Sequence, residues 1–259
     1  MRTVSIGRLA GAIRSGTRPI AVLAGSGVSQ SAGIPTGQDL LASIARGHRD
    51  VPAGDLVAWY RNRTGTFPDY FGMAGADPAG DTLPRDRYER AQPGTAHRMI
   101  ARLVRAGWAG PVLTTNLDPL IERALADAGS AVPTAFDLPS MAGADLDAPV
   151  VIKLHGDYQD ISIRRSARAL HTYHPVVDRL LDRVLADFDL LVCGWSASWD
   201  LPLGDALCRP SDRRVHWLQC GHPSAAAQRI FRARQPAVAM MANSDAGLRA
   251  LVELLLDGG

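Results

Sequence analysis

Residues 19–35 limit what this chain can fold into more than any other stretch, because an apolar run there leads directly into a glycine-rich turn. Residues 20–24 are all apolar, and two of them, Ile20 and Val22, are β-branched, which predicts a strand buried on both faces. Glycines follow at positions 25, 27 and 33, where the missing Cβ allows a positive φ and the close approach of a ligand. The stretch therefore predicts a strand, a turn and then a helix.

Hydroxyl groups accompany the glycines of this turn. Ser26, Ser29 and Ser31 lie beside backbone N–H groups, a combination that suits a pyrophosphate. The spacing departs from the G-x-G-x-x-G dinucleotide pattern, whose third glycine would fall at Gln30. An ordinary tight turn is therefore the alternative to a phosphate-binding loop.

Composition and cysteine usage exclude several classes of protein. The 259 residues carry a formal net charge of +2 with mixed signs, which gives no reason to expect nucleic-acid or membrane binding. No apolar run approaches the roughly 18 residues of a membrane span, and no signal pattern opens the chain, so a cytoplasmic protein is expected. Cys193, Cys208 and Cys220 form no C-x-x-C pair, which argues against a disulfide framework and against a zinc site. No metal is expected.

Strands and helices alternate along the chain. Strands are predicted at 20–24, 111–114, 149–154, 190–194, 214–219 and 237–241, each followed by a helix. This order predicts an α/β fold with a doubly wound parallel sheet in one domain, 1–259.

Residues 48–93 interrupt the alternation and predict a small helical lid inserted in that domain. The segment combines a helix at 55–63 with a Gly-, Pro- and Asp-rich loop at 65–86. Its aromatic residues either pack the insertion or line a ligand cleft: Trp59, Tyr60, Phe67, Tyr70 and Phe71.

Polar residues stand where two predicted strands end. Asn116 and Asp118 follow the strand at 111–114, and His155 follows the strand at 149–154. Ligands of open parallel sheets bind outside the carboxyl ends of the strands, so these residues are candidates for chemistry. Asn116 and Asp118 also fit a cap for the helix at 119–128, and both roles are compatible.

The order of several short motifs resembles the sirtuin family. The motifs are GSGVS at 25–29, AGIP at 32–35, TTNLD at 114–118, LHG at 154–156 and CGWS at 193–196. HGDY at 155–158 and GWSASWD at 194–200 are more similar to bacterial sirtuin-like proteins, many of which degrade NAD in anti-phage defence. The resemblance covers about residues 18–250 and implies a Rossmann-like, sirtuin-type NAD-binding fold.

The resemblance implies a role for each matched residue. Asn116 places water or another acceptor near the reacting ribose carbon, His155 takes a proton from a ribose hydroxyl or holds it, and Asp118 binds the nicotinamide carboxamide. The remaining NAD-binding candidates are Gly25, Ser26, Gly27, Ser29, Ile34, Pro35, Gly194, Ser196 and Asp200. Asp200 either accepts a ribose hydroxyl or caps the helix that follows. Gly27→Val is expected to block NAD binding while the fold stays largely intact.

Departures from the family pattern favour water as the acceptor. Gly37 and Gln38 stand where deacylases have Phe-Arg, Thr115 replaces a glutamine, and the four-cysteine zinc module is missing. The expected activity is that of an NAD glycohydrolase forming nicotinamide and ADP-ribose, as an effector of anti-phage defence.

The alternatives are an NAD-dependent protein deacylase, an ADP-ribosyltransferase, or a non-catalytic sensor of NAD or ADP-ribose that regulates a partner. The expected partners are NAD and a separately encoded sensor or activator protein, with a homo-oligomer also compatible. No nucleic-acid or membrane partner is expected.

Overall fold

A parallel sheet of eight strands forms the centre of the chain. The computed structural model describes residues 2–16, 19–46, 48–49, 51, 56–65, 85–160 and 172–256. The strands are β1 (Arg2–Thr3), β2 (Ile20–Ala24), β3 (Ala109–Thr114), β4 (Thr134–Ala135), β5 (Val151–Lys153), β6 (Leu190–Cys193), β7 (Val215–Cys220) and β8 (Ala237–Met241). They lie in the order β1-β8-β7-β6-β2-β3-β5-β4, and every neighbouring pair is parallel.

Helices cover both faces of this sheet. The described helices are α1 (Ile6–Arg14), α2 (Gly37–Arg46), α3 (Leu56–Thr64), α4 (Arg85–Arg90), α5 (Thr95–Arg105), α6 (Leu120–Asp127), α7 (Leu138–Ala142), α8 (Pro175–Asp187), α9 (Leu201–Cys208), α10 (Ala225–Arg234) and α11 (Ser244–Leu256). Side chains of α7–α10 form the core on one face, and those of α1, α5, α6 and α11 form it on the other. None of the described helices combines the length and the apolarity that a membrane-spanning segment needs.

Strand β2 lies at the centre of the sheet and is buried throughout. Ala21 and Leu23 point into one core, whereas Ile20, Val22 and Ala24 point into the other. This arrangement explains the uninterrupted apolar run, because a strand covered on both faces has no polar side. The prediction of a doubly wound parallel sheet is confirmed.

The direction of winding reverses at β2. The chain leaves β2 for β3, β5 and β4 on one side, then crosses to β6 on the other side. Ala24, the last residue of β2, pairs in register with Thr114 of β3 and Cys193 of β6. The loops after these strands therefore meet at one edge, the switch point where ligands of such sheets bind.

The predicted insertion is only partly described. Helix α3 lies one residue beyond the predicted 55–63, and Phe67, Tyr70 and Phe71 fall outside the described residues. Trp59 is buried in a small apolar cluster with Leu41 and Ile44 of α2, so it packs helix against helix.

Four described elements were not predicted: β1, β4, α4 and α7. Each has two to six residues, which is too short for a hydrophobic period to show.

Candidate functional site

The turn after β2 and the turn after β6 are packed backbone to backbone. The N–H groups of Gly25 and Gly27 donate to the carbonyl oxygens of Cys193 and Gly194, at 3.0 and 2.8 Å. A Cβ on Gly25 would lie 2.6 Å from the Gly194 oxygen, and one on Gly27 would lie 2.9 Å from the Gly194 Cα. Gly194 itself has a φ of +62°. Contact between the two turns therefore requires glycine at all three positions, whether or not a ligand is bound.

This packing changes two expectations about the loop. The N–H groups of Val28 and Ser29 also donate internally, to the carbonyl oxygens of Gly25 and Ser26 at 3.1 and 3.0 Å. These groups are thus committed to shaping the turn. A side chain at position 27 would press against the Gly194 backbone, so we expect Gly27→Val to destabilise the fold as well as to affect NAD binding.

A cleft of about 720 Å³ opens beside these turns, and four of the NAD-binding candidates line it: Ser26, Gly27, Gly194 and Ser196. The other walls come from the start of α2 and from the residues after β7 and β8. Trp199 also lines the cleft and lies over Gly37, where an added Cβ would meet the indole at 3.3 Å. The glycine at position 37 therefore makes room for this tryptophan.

The first turn of α2 carries a carboxylate of its own. The Asp39 carboxylate accepts from the Thr36 N–H at 2.8 Å, and the Asp39 N–H donates to the Thr36 hydroxyl at 3.1 Å. This reciprocal capping box binds the N–H groups of Thr36 and Asp39 and places a carboxylate at the start of α2. Because that carboxylate repels an anion, hydroxyl groups of the cleft, such as those of Ser26 and Ser196, are better candidates for phosphate contacts than the start of α2.

Asn116 lies two residues beyond the end of β3 and is buried. Its Nδ2 donates to the Ser29 hydroxyl at 2.9 Å, and its backbone N–H donates to the Thr114 hydroxyl at 3.0 Å. Its Oδ1 is buried and has no hydrogen-bond partner among the described residues. Ser29, predicted to contact the ligand, is itself fully buried and faces Asn116 and the ring of His97.

Asp118 and Lys153 form a second buried group below Asn116. Asp118 accepts from the N–H of Leu120, the first residue of α6, at 3.2 Å, whereas the N-cap position itself is Pro119 and makes no side-chain cap. Burial raises the pKa of the Asp118 carboxyl group against the opposing effects of Lys153 and Ser29. Lys153 is completely buried, and burial alone would lower its pKa. The carboxylates of Glu122 and Asp157, at 2.9 and 2.7 Å, outweigh that effect and raise the pKa of Lys153.

His155 is paired with Asp200. Its Nε2 lies 2.5 Å from Asp200 Oδ2, which also accepts from the Tyr173 hydroxyl. The other carboxylate oxygen of Asp200 accepts from the Leu203 N–H at 3.0 Å and caps α9. Of the two roles left open by the sequence, the helix cap is observed, and the pairing with His155 was not predicted.

Asn116 and His155 occupy equivalent positions on neighbouring strands. Thr114 of β3 pairs in register with Lys153 of β5, and each candidate lies two residues further on. Ile34 and Leu117 pack together in an apolar cluster next to this edge, with Tyr88 and Tyr158. Pro35 follows Ile34 at the rim, half-buried.

His97 and Lys153 are the two residues of the site that the sequence reasoning missed. His97 repeats the apolar spacing of α5, and Lys153 interrupts an otherwise apolar strand directly before His155. The sequence does contain a signal for such residues, namely a cationic or imidazole side chain at a position that the hydrophobic pattern assigns to the core. Among the described residues, no group of three or more His, Cys, Asp or Glu side chains is arranged to hold a metal ion.

Sequence comparison finds a similarity in the part of the chain that includes Asn116, His155 and Asp200. Residues 111–200 match the family model of the SIR2-like domain. Over 117 residues the chain is 31% identical to an NAD-dependent protein deacylase of Pseudomonas putida strain KT2440. That match includes 45% of this chain and 40% of the deacylase, so less than half of the relative's length is matched.

Solved structures share the fold over nearly the whole chain. A Sir2 homologue in complex with NAD superposes with a TM-score of 0.52 at 17% identity, covering 97% of this chain and 94% of the homologue. A Sir2 homologue mutant with ADP-ribose gives 0.54 at 18%, covering 97% and 96%. A SIR2 protein bound to an inhibitor, 2′-O-acetyl-ADP-ribose and a deacetylated peptide gives 0.50 at 15%, covering 97% and 98%. The chain therefore has the Rossmann-like α/β fold of the sirtuins.

Proposed function

We propose that this chain is an NAD glycohydrolase, which cleaves NAD into nicotinamide and ADP-ribose with water as the acceptor. The observation that carries the proposal is the buried Oδ1 of Asn116, which has no hydrogen-bond partner among the described residues. An unsatisfied buried carbonyl oxygen costs about 1–3 kcal/mol, so its retention is explained if a water molecule or a ribose hydroxyl donates to it during the reaction.

The reaction breaks the bond between the ribose C1′ and the nicotinamide nitrogen, and the bonding electrons neutralise the positive charge of the leaving nicotinamide. The oxygen of water then bonds to C1′ and loses one proton. Asn116 Oδ1 accepts a hydrogen bond from that water and so orients it. His155 accepts the proton.

Asp200 prepares His155 for this role. The buried Asp200 carboxylate can only accept a hydrogen bond, so the ring nitrogen that faces it, Nε2, must carry the proton. A neutral His155 is therefore protonated on Nε2, and Nδ1 is its basic nitrogen. The same logic orients the imidazole in Ser-His-Asp triads. A general base held in this manner contributes about 10²–10⁴-fold to a rate.

The cleft beside the glycine turns is proposed to hold the rest of the substrate. Its volume of about 720 Å³ and its hydroxyl-rich lining, which includes Ser26 and Ser196, suit ribose and pyrophosphate oxygens. We place nicotinamide nearer Asn116, with its carboxamide against Asp118, as the motif TTNLD implies.

Protein deacylation is the second candidate, because the matched Pseudomonas putida relative is named a deacylase. The missing four-cysteine module at the sequence level favours water over an acylated lysine as the acceptor. The two candidates differ in one requirement, since a deacylase needs the acylated peptide for turnover.

We extend the proposal to a cytoplasmic effector of anti-phage defence, controlled by a separately encoded sensor or activator. The similarity of HGDY at 155–158 and GWSASWD at 194–200 to bacterial NAD-degrading proteins supports it. Within this proposal, residues 1–259 act as one domain, and the segment 48–93 acts as its lid.

Mass spectrometry of NAD incubated with the purified chain tests the proposal, with and without an acylated peptide. We expect equal amounts of nicotinamide and ADP-ribose without peptide, lost in Asn116→Ala and in His155→Ala. Asn62→Ala changes an exposed asparagine of α3 and serves as the matched control. Nicotinamide release that requires the peptide would favour the deacylase instead.

A further inference from the structure

We infer that His97 is a positioning residue, which acts through Ser29 to hold Asn116 with its carbonyl oxygen directed towards the substrate. The inference rests on the proposed function for its consequence in catalysis, but its structural content is independent. His97 lies on α5, has no exposed surface, and contacts Ser29 at 3.0 Å. The contacts of five residues fix the direction of every hydrogen bond in this group.

The direction is set by a backbone group at the start of α5. The N–H of Gly94 donates to His97 Nδ1 at 2.9 Å. A backbone N–H has no lone pair to accept with, so Nδ1 must be the unprotonated nitrogen of the ring. Burial lowers the pKa of His97 to about 4, with Asp245 opposing and Arg98 reinforcing the shift, so the ring is neutral near pH 7. Its one proton is therefore on Nε2.

That proton constrains Ser29. His97 Nε2–H donates to the Ser29 oxygen at 3.0 Å, and Asn116 Nδ2 donates to it at 2.9 Å. These two donors use both lone pairs of the hydroxyl oxygen. The hydroxyl proton of Ser29 is left for the carboxyl group of Asp118, whose pKa Ser29 lowers against the larger effect of burial.

Asn116 consequently has one favourable amide orientation. If the amide were reversed, its Oδ1 and the carboxyl group of Asp118 would compete for the single hydroxyl proton of Ser29, and one hydrogen bond would be lost. In the observed orientation Oδ1 is the atom without a partner among the described residues, and within the proposed function it remains for a donor from the substrate or from water. His97 thus selects which end of the Asn116 amide the reaction meets.

The loop and the helix are in close contact where this group forms. A Cβ added to Gly94 would lie 2.7 Å from the Ser31 hydroxyl oxygen, and the ring of His97 occupies the space next to it. The position of α5 is therefore coupled to that of the loop that carries Ser29.

Two substitutions separate the cap of α5 from the contact with Ser29. His97→Asn retains an oxygen near the position of Nδ1, which accepts from Gly94, but removes the donor to Ser29. His97→Gln retains a nitrogen near the position of Nε2, which donates to Ser29. We expect His97→Asn to lower kcat about tenfold or more with little change in KM, because one orienting hydrogen bond is lost. His97→Gln is expected to recover most of that loss.

His216→Gln is the matched control, because His216 is a second buried histidine whose pKa is lowered to about 4 and it lies within β7, in the core. It is expected to change the melting temperature but not kcat. Equal kcat values for His97→Asn and wild type would overturn the positioning role, as would loss of kcat in His97→Gln as severe as in His97→Asn.

Nitrogen-15 NMR of the histidine rings tests the chain of hydrogen bonds from Gly94 through His97 and Ser29 to Asn116, called here the relay. This measurement does not depend on enzymatic activity. We expect His97 to show a protonated Nε2 and an unprotonated Nδ1 at pH 7. A proton on Nδ1 would overturn the inference. If wild type shows this tautomer but releases no nicotinamide, the proposed function fails while the relay stands.

Discussion

The ammonium group of Lys153 lies 2.9 Å from the backbone carbonyl oxygen of Asp118, although the side chain of Lys153 has no exposed surface. It also contacts the carbonyl oxygen of Leu117 at 3.0 Å. Strand β5 thereby holds the loop that follows Asn116 in place. The charge of Lys153 is balanced by Glu122 and Asp157, so one cation joins β5, the loop and α6.

Lys153→Met is expected to lower the free energy of unfolding by about 3–5 kcal/mol, because it leaves the mostly buried Glu122 without its partner. Urea unfolding followed by circular dichroism measures the change. The double variant Lys153→Met/Glu122→Gln removes the unpaired charge and should recover part of the loss. A double variant no more stable than Lys153→Met would show that the ion pair is not the cause.

Asp200→Asn is expected to lower kcat by about 10²–10⁴-fold while the fold is retained. Asparagine caps a helix nearly as well as aspartate, so the contact with the Leu203 N–H and the start of α9 are kept. The amide NH₂ then faces His155 Nε2 and donates to it, which moves the ring proton to Nδ1, the proposed base.

The controls for Asp200→Asn are nicotinamide release and thermal melting measured on the same preparations. Tyr173→Phe removes the hydroxyl that donates to Asp200 Oδ2 and keeps the carboxylate, so it should have a smaller effect on kcat. An active Asp200→Asn enzyme would contradict the role of the pair in proton transfer.

Gly25→Ala is expected to destabilise the chain as well as to weaken NAD binding. Its Cβ would lie 2.6 Å from both the Gly194 oxygen and the Trp195 Cα, so the turns after β2 and β6 must separate. Gly11→Ala in α1 is the control, because nothing lies within 4 Å of a Cβ there and alanine favours a helix by about 1 kcal/mol over glycine. Differential scanning calorimetry should show a lower melting temperature for Gly25→Ala only.

Stability is expected to fall as the pH drops below about 6.5, through the neutral histidines His97 and His216. Burial lowers the pKa of each to about 4, so the unfolded chain binds protons first and gains stability relative to the folded chain between pH 6.5 and 4. A shift of this size corresponds to about 3 kcal/mol per histidine at pH 4. Above pH 6.5 neither residue contributes to the slope.

His216→Leu isolates one of the two contributions. Neither ring nitrogen of His216 has a hydrogen-bond partner among the described residues, so leucine leaves no polar group unpaired. Comparison with wild type also cancels the opposite effects of Asp118 and Glu122, whose pKa values are raised. The variant should show a shallower loss of stability between pH 6.5 and 4, and an unchanged slope would contradict the assignment.

The sequence predicts the central part of the fold well, because six strands and their following helices carry clear hydrophobic periods. Residues 237–241 form β8 with the bounds that the pattern predicts. The edge strands β1 and β4 have two residues each, and β1 pairs with β8 at the other end of the chain, whereas β4 pairs with β5 across the intervening α7. No local pattern encodes such a contact.

The candidate site was predictable by position but not by contact. Asn116 and His155 follow predicted strands, and a parallel sheet brings such positions to one edge. The pairing of His155 with Asp200 joins residues 45 apart, and that of Ser29 with His97 joins residues 68 apart. Because these pairs depend on how loops cross the sheet edge, spacing along the chain does not reveal them.

The turns after β2 and β6, which are packed backbone to backbone, come from distant parts of the chain. Their separation affects when the cleft can form during synthesis. Cys193 donates its thiol to the carbonyl oxygen of Leu23, 170 residues earlier, so one wall of the cleft is synthesised long before the other. Contacts so distant in sequence require the closure of a long loop, which slows folding. A nascent chain that has not yet delivered β6 has no cleft beside Gly25. If the chain degrades NAD, a nascent chain therefore cannot have this activity before β6 has been synthesised and paired with β2.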